Sequence, residues 1–229
     1  MTPAPSRAPQ NRGRNPTHSD EAAGRPERPP SIPTGNTFDK YGSANPVYRR
    51  LMDGFERALD ELLAQASPRS VLDVGCGEGV LTERWAQWLA PRPVTGIDLP
   101  DPKLQAQWQS RAQPNLEFCS GRAESLPFGD GELDLVAAIE TLEHVEAPAL
   151  ALAEMVRVAR RHLLVSVPRE PVWRALNMAR GAYLRRLGNT PGHINHWSRR
   201  SLTRLLAGYG QVMEVRTPFP WTMALVRVS

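Results

Sequence analysis

The stretch Val71 to Gly79, read V-L-D-V-G-C-G-E-G, constrains this chain more than any other. A short apolar run closes on an acid and then on three glycines at alternate positions, Gly75, Gly77 and Gly79. That is the pattern of a buried parallel strand turning sharply into a helix around a ligand. The helix is predicted to begin between Glu78 and Val80 and to continue through Leu81, Trp85 and Leu89. A dinucleotide turn reads G-x-G-x-x-G and sets a pyrophosphate on the helix N-terminus. Here Val80 stands where the third glycine would be, and Asp73 ends the strand two residues before the first. A carboxylate at that place suits a cation better than a phosphate, so the expected ligand is positively charged and free of phosphate.

S-adenosyl-L-methionine, with its sulfonium and ammonium groups, is such a ligand. The same stretch resembles motif I of the class I S-adenosylmethionine-dependent methyltransferases, which commonly reads V-L-D-x-G-C-G-x-G. Asp98 closes the next strand 19 residues beyond Gly79, where an acid accepts hydrogen bonds from both ribose hydroxyls, and Leu99 follows it. Gly121-Arg-Ala-Glu-Ser-Leu-Pro-Phe128 resembles the family's G-D-A-x-x-L-P-F loop, with Arg122 in place of the acid that usually receives adenine. With that acid replaced, the resemblance implies that adenine is received by the Ala123 amide, by Glu124 or by another group. Leu133 to Val145 resembles the family's F-D-x-V-x-x-x-x-x-L-E-H-V and implies that Ala138 to Glu140 line the cofactor near its methyl group. The [DNS]-P-P-[YF] turn of nucleic-acid amino-methyltransferases does not occur at this position.

Strands and helices alternate through the middle of the chain, as in an α/β doubly wound, mostly parallel sheet. Strands are expected at Ser70–Val74, Val94–Asp98, Leu116–Cys119, Leu133–Ile139 and His162–Val167, with helices to about Ala90, over 101–111 and over 148–159. Two closing strands are expected at 211–216 and 223–228, and the family implies seven strands, the last antiparallel, in a Rossmann-like arrangement. Right-handed crossovers bring the strands' C-terminal ends to one edge, where the site must lie. Ahead of this, residues 1–35 hold eight prolines and little that is apolar, and are expected to form a disordered tail. Residues 36–229 then make one methyltransferase domain. Its leading helix carries Leu51, Phe55, Leu59 and Leu62 at helical spacing, and in the family such a segment lies over the cofactor, with Lys40, Tyr41 and Asn45 as contacts.

An insertion near 169–198 is where the family varies with substrate. A helix is predicted over Pro171–Leu187, with Trp173, Leu176, Tyr183, Leu184 and Leu187 on one stripe and Arg180 within it. An arginine in an apolar stripe snorkels or meets an anion, which makes Arg180 a substrate candidate. The segment Gly188 to Ser198 supplies His193 and His196 as substrate contacts, and His193, His144 and Glu140 are the catalytic candidates. No metal is expected, because His193 and His196 lie three apart outside a helix with no third ligand in view. The acceptor is expected to be a small or lipid-linked metabolite, methylated at oxygen, with carbon methylation of a quinone-like ring as the alternative.

Composition sets outer limits. The formal net charge is +4, carried almost wholly by arginine, since Lys40 and Lys103 are the only lysines. Such a bias is weak support for a nucleic-acid partner, which would instead need Arg199, Arg200 and Arg204. Contact with an anionic membrane is at most peripheral, and no oligomeric state is implied. Two cysteines, Cys76 and Cys119, make no disulfide framework, and no apolar run reaches membrane-span length, so a soluble cytoplasmic protein is expected.

Overall fold

The computed structural model describes residues 45–111 and 113–228, and all that follows concerns these. The expectations for the 1–35 tail, Lys40 and Tyr41 lie outside the described residues.

Asn45 stands at the head of the first helix, α1 (Pro46–Ala66), which it caps, its side-chain oxygen accepting from the Val47 amide at 2.9 Å, with Pro46 preset at the first helical position. The chain then runs β1 (Val71–Val74), α2 (Val80–Leu89), β2 (Val94–Asp98), α3 (Pro102–Gln109), β3 (Leu116–Ser120), β4 (Leu133–Ile139), α4 (Pro148–Val158) and β5 (Ala159–Pro168). It closes with α5 (Val172–Ala179), α6 (Arg199–Leu206), β6 (Gln211–Arg216) and β7 (Trp221–Arg227). The seven strands form one sheet in the order β3-β2-β1-β4-β5-β7-β6, parallel except that β7 runs antiparallel to both neighbours. The order reverses between β1 and β4, which opens a crevice at the carboxyl ends of those strands.

Alternation along the central strands explains why both faces are covered. Leu135 and Ala137 of β4 pack with Phe55, Leu59, Leu62 and Leu63 of α1 and Trp85 of α2. Val136 and Ala138 point the other way, to Leu152 and Met155 of α4 and Leu202 and Leu206 of α6. The leading helix is thus a core element whose first turns also wall the site, rather than a detached cover.

Two expectations about elements need correction. β5 starts at Ala159, directly after α4, three residues before the predicted His162. The helix predicted over Pro171–Leu187 stops at Ala179. Gly181 adopts a left-handed φ of 74°, which ends the helix, and a short 3-10 turn follows at Leu184–Arg186. Buried Asn177 draws the chain back, donating from Nδ2 to the Gly188 carbonyl at 2.8 Å and to Thr190 Oγ1 at 3.1 Å. Helical spacing beyond Ala179 therefore described no helix. Leu176, Tyr183, Leu184 and Leu187 are exposed instead of forming a packed stripe.

Candidate functional site

At the end of β1, Gly75, Gly77 and Gly79 all take left-handed φ values, 76°, 55° and 79°. A β-carbon on Gly75 would come within 2.9 Å of Thr141 Cβ, and one on Gly79 within 2.6 Å of Phe118 Cζ. The turn is therefore closed to side chains by packing as well as by conformation. Two residues the sequence reading missed pin it from outside. Trp108 donates its indole N–H to the Gly77 carbonyl at 2.8 Å, and Arg111 Nε donates to the Glu78 carbonyl at 2.8 Å. Trp108 also stacks on Phe118, with centroids 5.3 Å apart and the planes 6° from parallel.

Asp98, at the end of β2, accepts from the Gly77 amide at 2.6 Å through one oxygen and from the Leu99 amide at 2.7 Å through the other. Each oxygen keeps a further lone pair, and the residue faces the cavity. Burial raises its pKa, against the two amides and the nearby His144 ring, which lower it. Asp73 is fully buried behind the turn and is held by the Thr82 hydroxyl at 2.7 Å. Burial and then the Asp98 charge push its carboxyl up to about 7, partly offset by the Thr82 bond. Two desolvated acids beside one cavity of about 290 Å³ form a site that gains from a cation and repels an anion.

The loop after β3 brings Ala123 and Glu124 to the same cavity, with Arg122 in an ion pair to Glu124 at 3.5 Å. The Leu126–Phe128 loop is latched from behind by α4. Arg157 donates to the Leu126 and Phe128 carbonyls, and Glu154, ion-paired to Arg157, accepts from the Leu126 amide at 3.0 Å.

Glu140 follows β4 with a left-handed φ of 58°, uncommon for a residue with a β-carbon and a form of strain that functional sites often hold. Its carboxylate accepts from Ser166 Oγ at 2.9 Å and from Trp221 Nε1 at 2.7 Å. It lines the cavity, and these two bonds, one to each oxygen, tie it to β5 and β7. Trp221 continues an aromatic row through Trp173, at 5.8 Å, to His193, which lies nearly parallel to Trp173 at 6.2 Å.

His193 and His144 come together from far apart in sequence, edge to face with centroids 4.9 Å apart. His196 does not join them. It is exposed, outside the cavity, with Nε2 2.8 Å from the Asn189 side-chain oxygen. Arg180 sits at the cavity mouth but is exposed, and it donates to Asn177 Oδ1 at 2.7 Å. The premise of a cation trapped in an apolar stripe therefore fails, and Arg180 remains only as a charge at the rim.

The sheet order, the antiparallel β7 and the glycine turn with its two acids define the class I methyltransferase fold. Residues 72–164 match the family described as "Methyltransferase domain". A magnesium protoporphyrin IX methyltransferase from Synechocystis, determined with S-adenosylhomocysteine, shares the fold at a TM-score of 0.61 and 19% identity, over 82% of this chain and 90% of its own. Two curated relatives are similar over part of the chain. One is the ubiquinone biosynthesis O-methyltransferase of Bordetella avium, 37% identical over 39% of this chain and 38% of its own length. The other is the phthiotriol/phenolphthiotriol dimycocerosates methyltransferase 1 of Mycobacterium ulcerans, 34% identical over 42% of this chain and 35% of its own. The chain thus spans little more than a third of the length of these relatives.

Proposed function

We propose that this protein transfers a methyl group from S-adenosylmethionine to an oxygen of a small or lipid-linked metabolite. The observation that carries the reading is one cavity that joins the acids Asp73 and Asp98 of the glycine turn to an aromatic and histidine-lined chamber. Asp98 would hold the ribose hydroxyls, Ala123 and Glu124 the adenine, and Asp73 the cationic methionine end. S-adenosylmethionine supplies a methyl group already activated by a sulfonium. The chain's task is to align the acceptor behind that methyl and to exclude water, worth several kcal/mol when the alignment is close, of the roughly 7–11 kcal/mol that ideal positioning reaches. Phe55, Trp173 and Trp221 provide an apolar, flat-walled chamber, and His144 and His193 are the groups placed to activate a hydroxyl.

The acceptor class follows from the rim. Leu176, Met178, Tyr183, Leu184, Leu187 and Ile194 expose apolar surface on the insertion that borders the cavity, which suits an acceptor with a hydrocarbon body. Relatives named for dimycocerosates and for ubiquinone biosynthesis agree with that class. The aromatic row favours one second reading, carbon methylation of a quinone-like ring.

The test uses methyl-labelled S-adenosylmethionine with polar and lipid fractions of cell extract. Label should enter a lipid-fraction product, and ether cleavage should release it if oxygen is the acceptor and leave it in place if carbon is. Calorimetry with S-adenosylhomocysteine gives the companion measurement. Equal affinities for wild type and Asp98→Ala, or no binding to either, would sink the cofactor assignment.

A further inference from the structure

We infer that Glu143, His144 and His193 form a binding site for a divalent first-row transition metal ion on the acceptor side of the cavity. The inference rests on the functional reading above and deepens it. One ligand atom from each of the three lies within 4.8 Å of the others, and all three residues line the cavity. Glu143 and His193 are buried and His144 is half-buried, so the cluster is not an exposed acidic patch that water would satisfy. The expectation of no metal compared His193 with His196, its neighbour in sequence. The ring that the fold brings to His193 is instead His144, 49 positions earlier.

The surroundings hold the three side chains in place before any ion arrives. The Glu143 carbonyl accepts from the amides of Ile194 at 2.9 Å and Asn195 at 3.1 Å, which ties the segment after His193 to the turn that carries Glu143 and His144. Asn195 adds two more ties, Nδ2 donating to the carbonyls of Leu142 at 3.1 Å and Val145 at 2.6 Å. His144 Nδ1 lies 2.9 Å from the Gly192 carbonyl. A carbonyl only accepts, so Nδ1 carries the proton and Nε2 is the ring atom that can serve as a metal ligand. That is the outer arrangement which orients metal-bound imidazoles and fixes their tautomer. Trp173, nearly parallel to His193, limits the freedom of that ring from its other face.

Two imidazoles and one carboxylate match the donor set of three-ligand sites that keep a position open. The nitrogen donors favour zinc, cobalt, nickel or iron over magnesium, which prefers oxygen. With a hydroxyl of the acceptor in the open position, the ion lowers its pKa. The O–H proton then leaves to water, the oxygen pair forms the new bond to the methyl carbon, and the pair of the broken carbon–sulfur bond stays on sulfur. On this account the two imidazoles hold a cation rather than take the proton themselves.

The experiment uses tag-free full-length protein stripped with a chelator and dialysed. Zn²⁺ is titrated in by calorimetry, and Co²⁺ is followed by its visible ligand-field absorption, with S-adenosylhomocysteine binding measured on the same samples. Wild type should take up one ion per chain. His193→Ala and the isosteric Glu143→Gln should each weaken it by at least about tenfold while still binding S-adenosylhomocysteine, which shows that they fold. His196→Ala should bind the ion like wild type. No ion uptake by protein that binds S-adenosylhomocysteine overturns the metal site and leaves the cofactor reading standing, as does uptake undiminished in both cluster variants. Ion uptake without S-adenosylhomocysteine binding has the opposite meaning, since the Co²⁺ spectrum is recorded on protein alone.

Discussion

Asp73 is a desolvated acid at the glycine turn. Its carboxyl is raised to about 7, so in the folded protein it holds a proton that the unfolded chain has already released. Stability contributed by the neutral acid is complete below the ordinary carboxylate range and is lost as pH climbs from about 4 to 7, by on the order of 4 kcal/mol at most. A cationic ligand reverses the preference by favouring the ionised form. Two results follow for Asp73→Asn, which keeps an oxygen to accept from Thr82. Without ligand, the variant should gain stability over wild type at pH 8 and not at pH 4, read from denaturant midpoints. Its affinity for S-adenosylmethionine should drop by about tenfold or more, and the proton that wild type releases on binding near pH 6, counted by calorimetry in buffers of different ionisation enthalpy, should disappear. A variant no more stable at pH 8 than wild type would mean that Asp73 is not the desolvated acid its burial implies.

At the level of elements, the loop after β3 depends on α4. The Leu126–Phe128 backbone has two carbonyls and one amide taken by Arg157 and Glu154, so the shape of this loop is set by a helix that does not itself line the cavity. The Arg157 guanidinium holds the Glu154 carboxyl down at about 2. A lowered acid contributes above its ordinary range and is lost only as pH falls toward that value, so the latch is constant over any working pH. Arg157→Ala should loosen the loop and weaken S-adenosylhomocysteine binding by about three- to tenfold, as expected from losing hydrogen bonds to a charged group, with the same factor at pH 6 and pH 8. Unchanged affinity would show that the loop holds its shape without the latch. The Leu-Pro-Phe motif was legible in the sequence, whereas its latch was not, because Arg157 lies 29 positions from Phe128 on an ordinary amphipathic helix. The central strands were legible because double-sided burial leaves near-continuous apolar runs. The insertion was not. Gly181 and the side chain of Asn177 override helical spacing there, and the partner of His193 is decided by a turn between β4 and α4.

For the whole molecule, the acids lie on β1 and β2, the aromatic row on α5 and β7 and the histidine cluster in the turns after β4 and α5, all against a single sheet, so a ligand that engages the glycine turn couples both halves of the fold. Glycine-turn contacts draw on β1 and β2, while Glu140 links β4 to β5 through Ser166 and to β7 through Trp221. A ligand that binds only the folded state should raise the stability of the entire unit. At about one hundred times its dissociation constant the gain is about 2.7 kcal/mol, which for a unit of this size is roughly 5–10 °C in melting temperature. S-adenosylhomocysteine should produce such a shift in one cooperative transition, larger at pH 8 than at pH 6 because Asp73 must ionise to meet the ligand's ammonium group. Asp98→Ala at the same ligand concentration should show little of the shift. A biphasic melt, with only part of the signal moving, would mean that the ligand stabilises the β1–β2 half alone, and the link through Glu140 would then be too weak to join the cofactor side to the acceptor side.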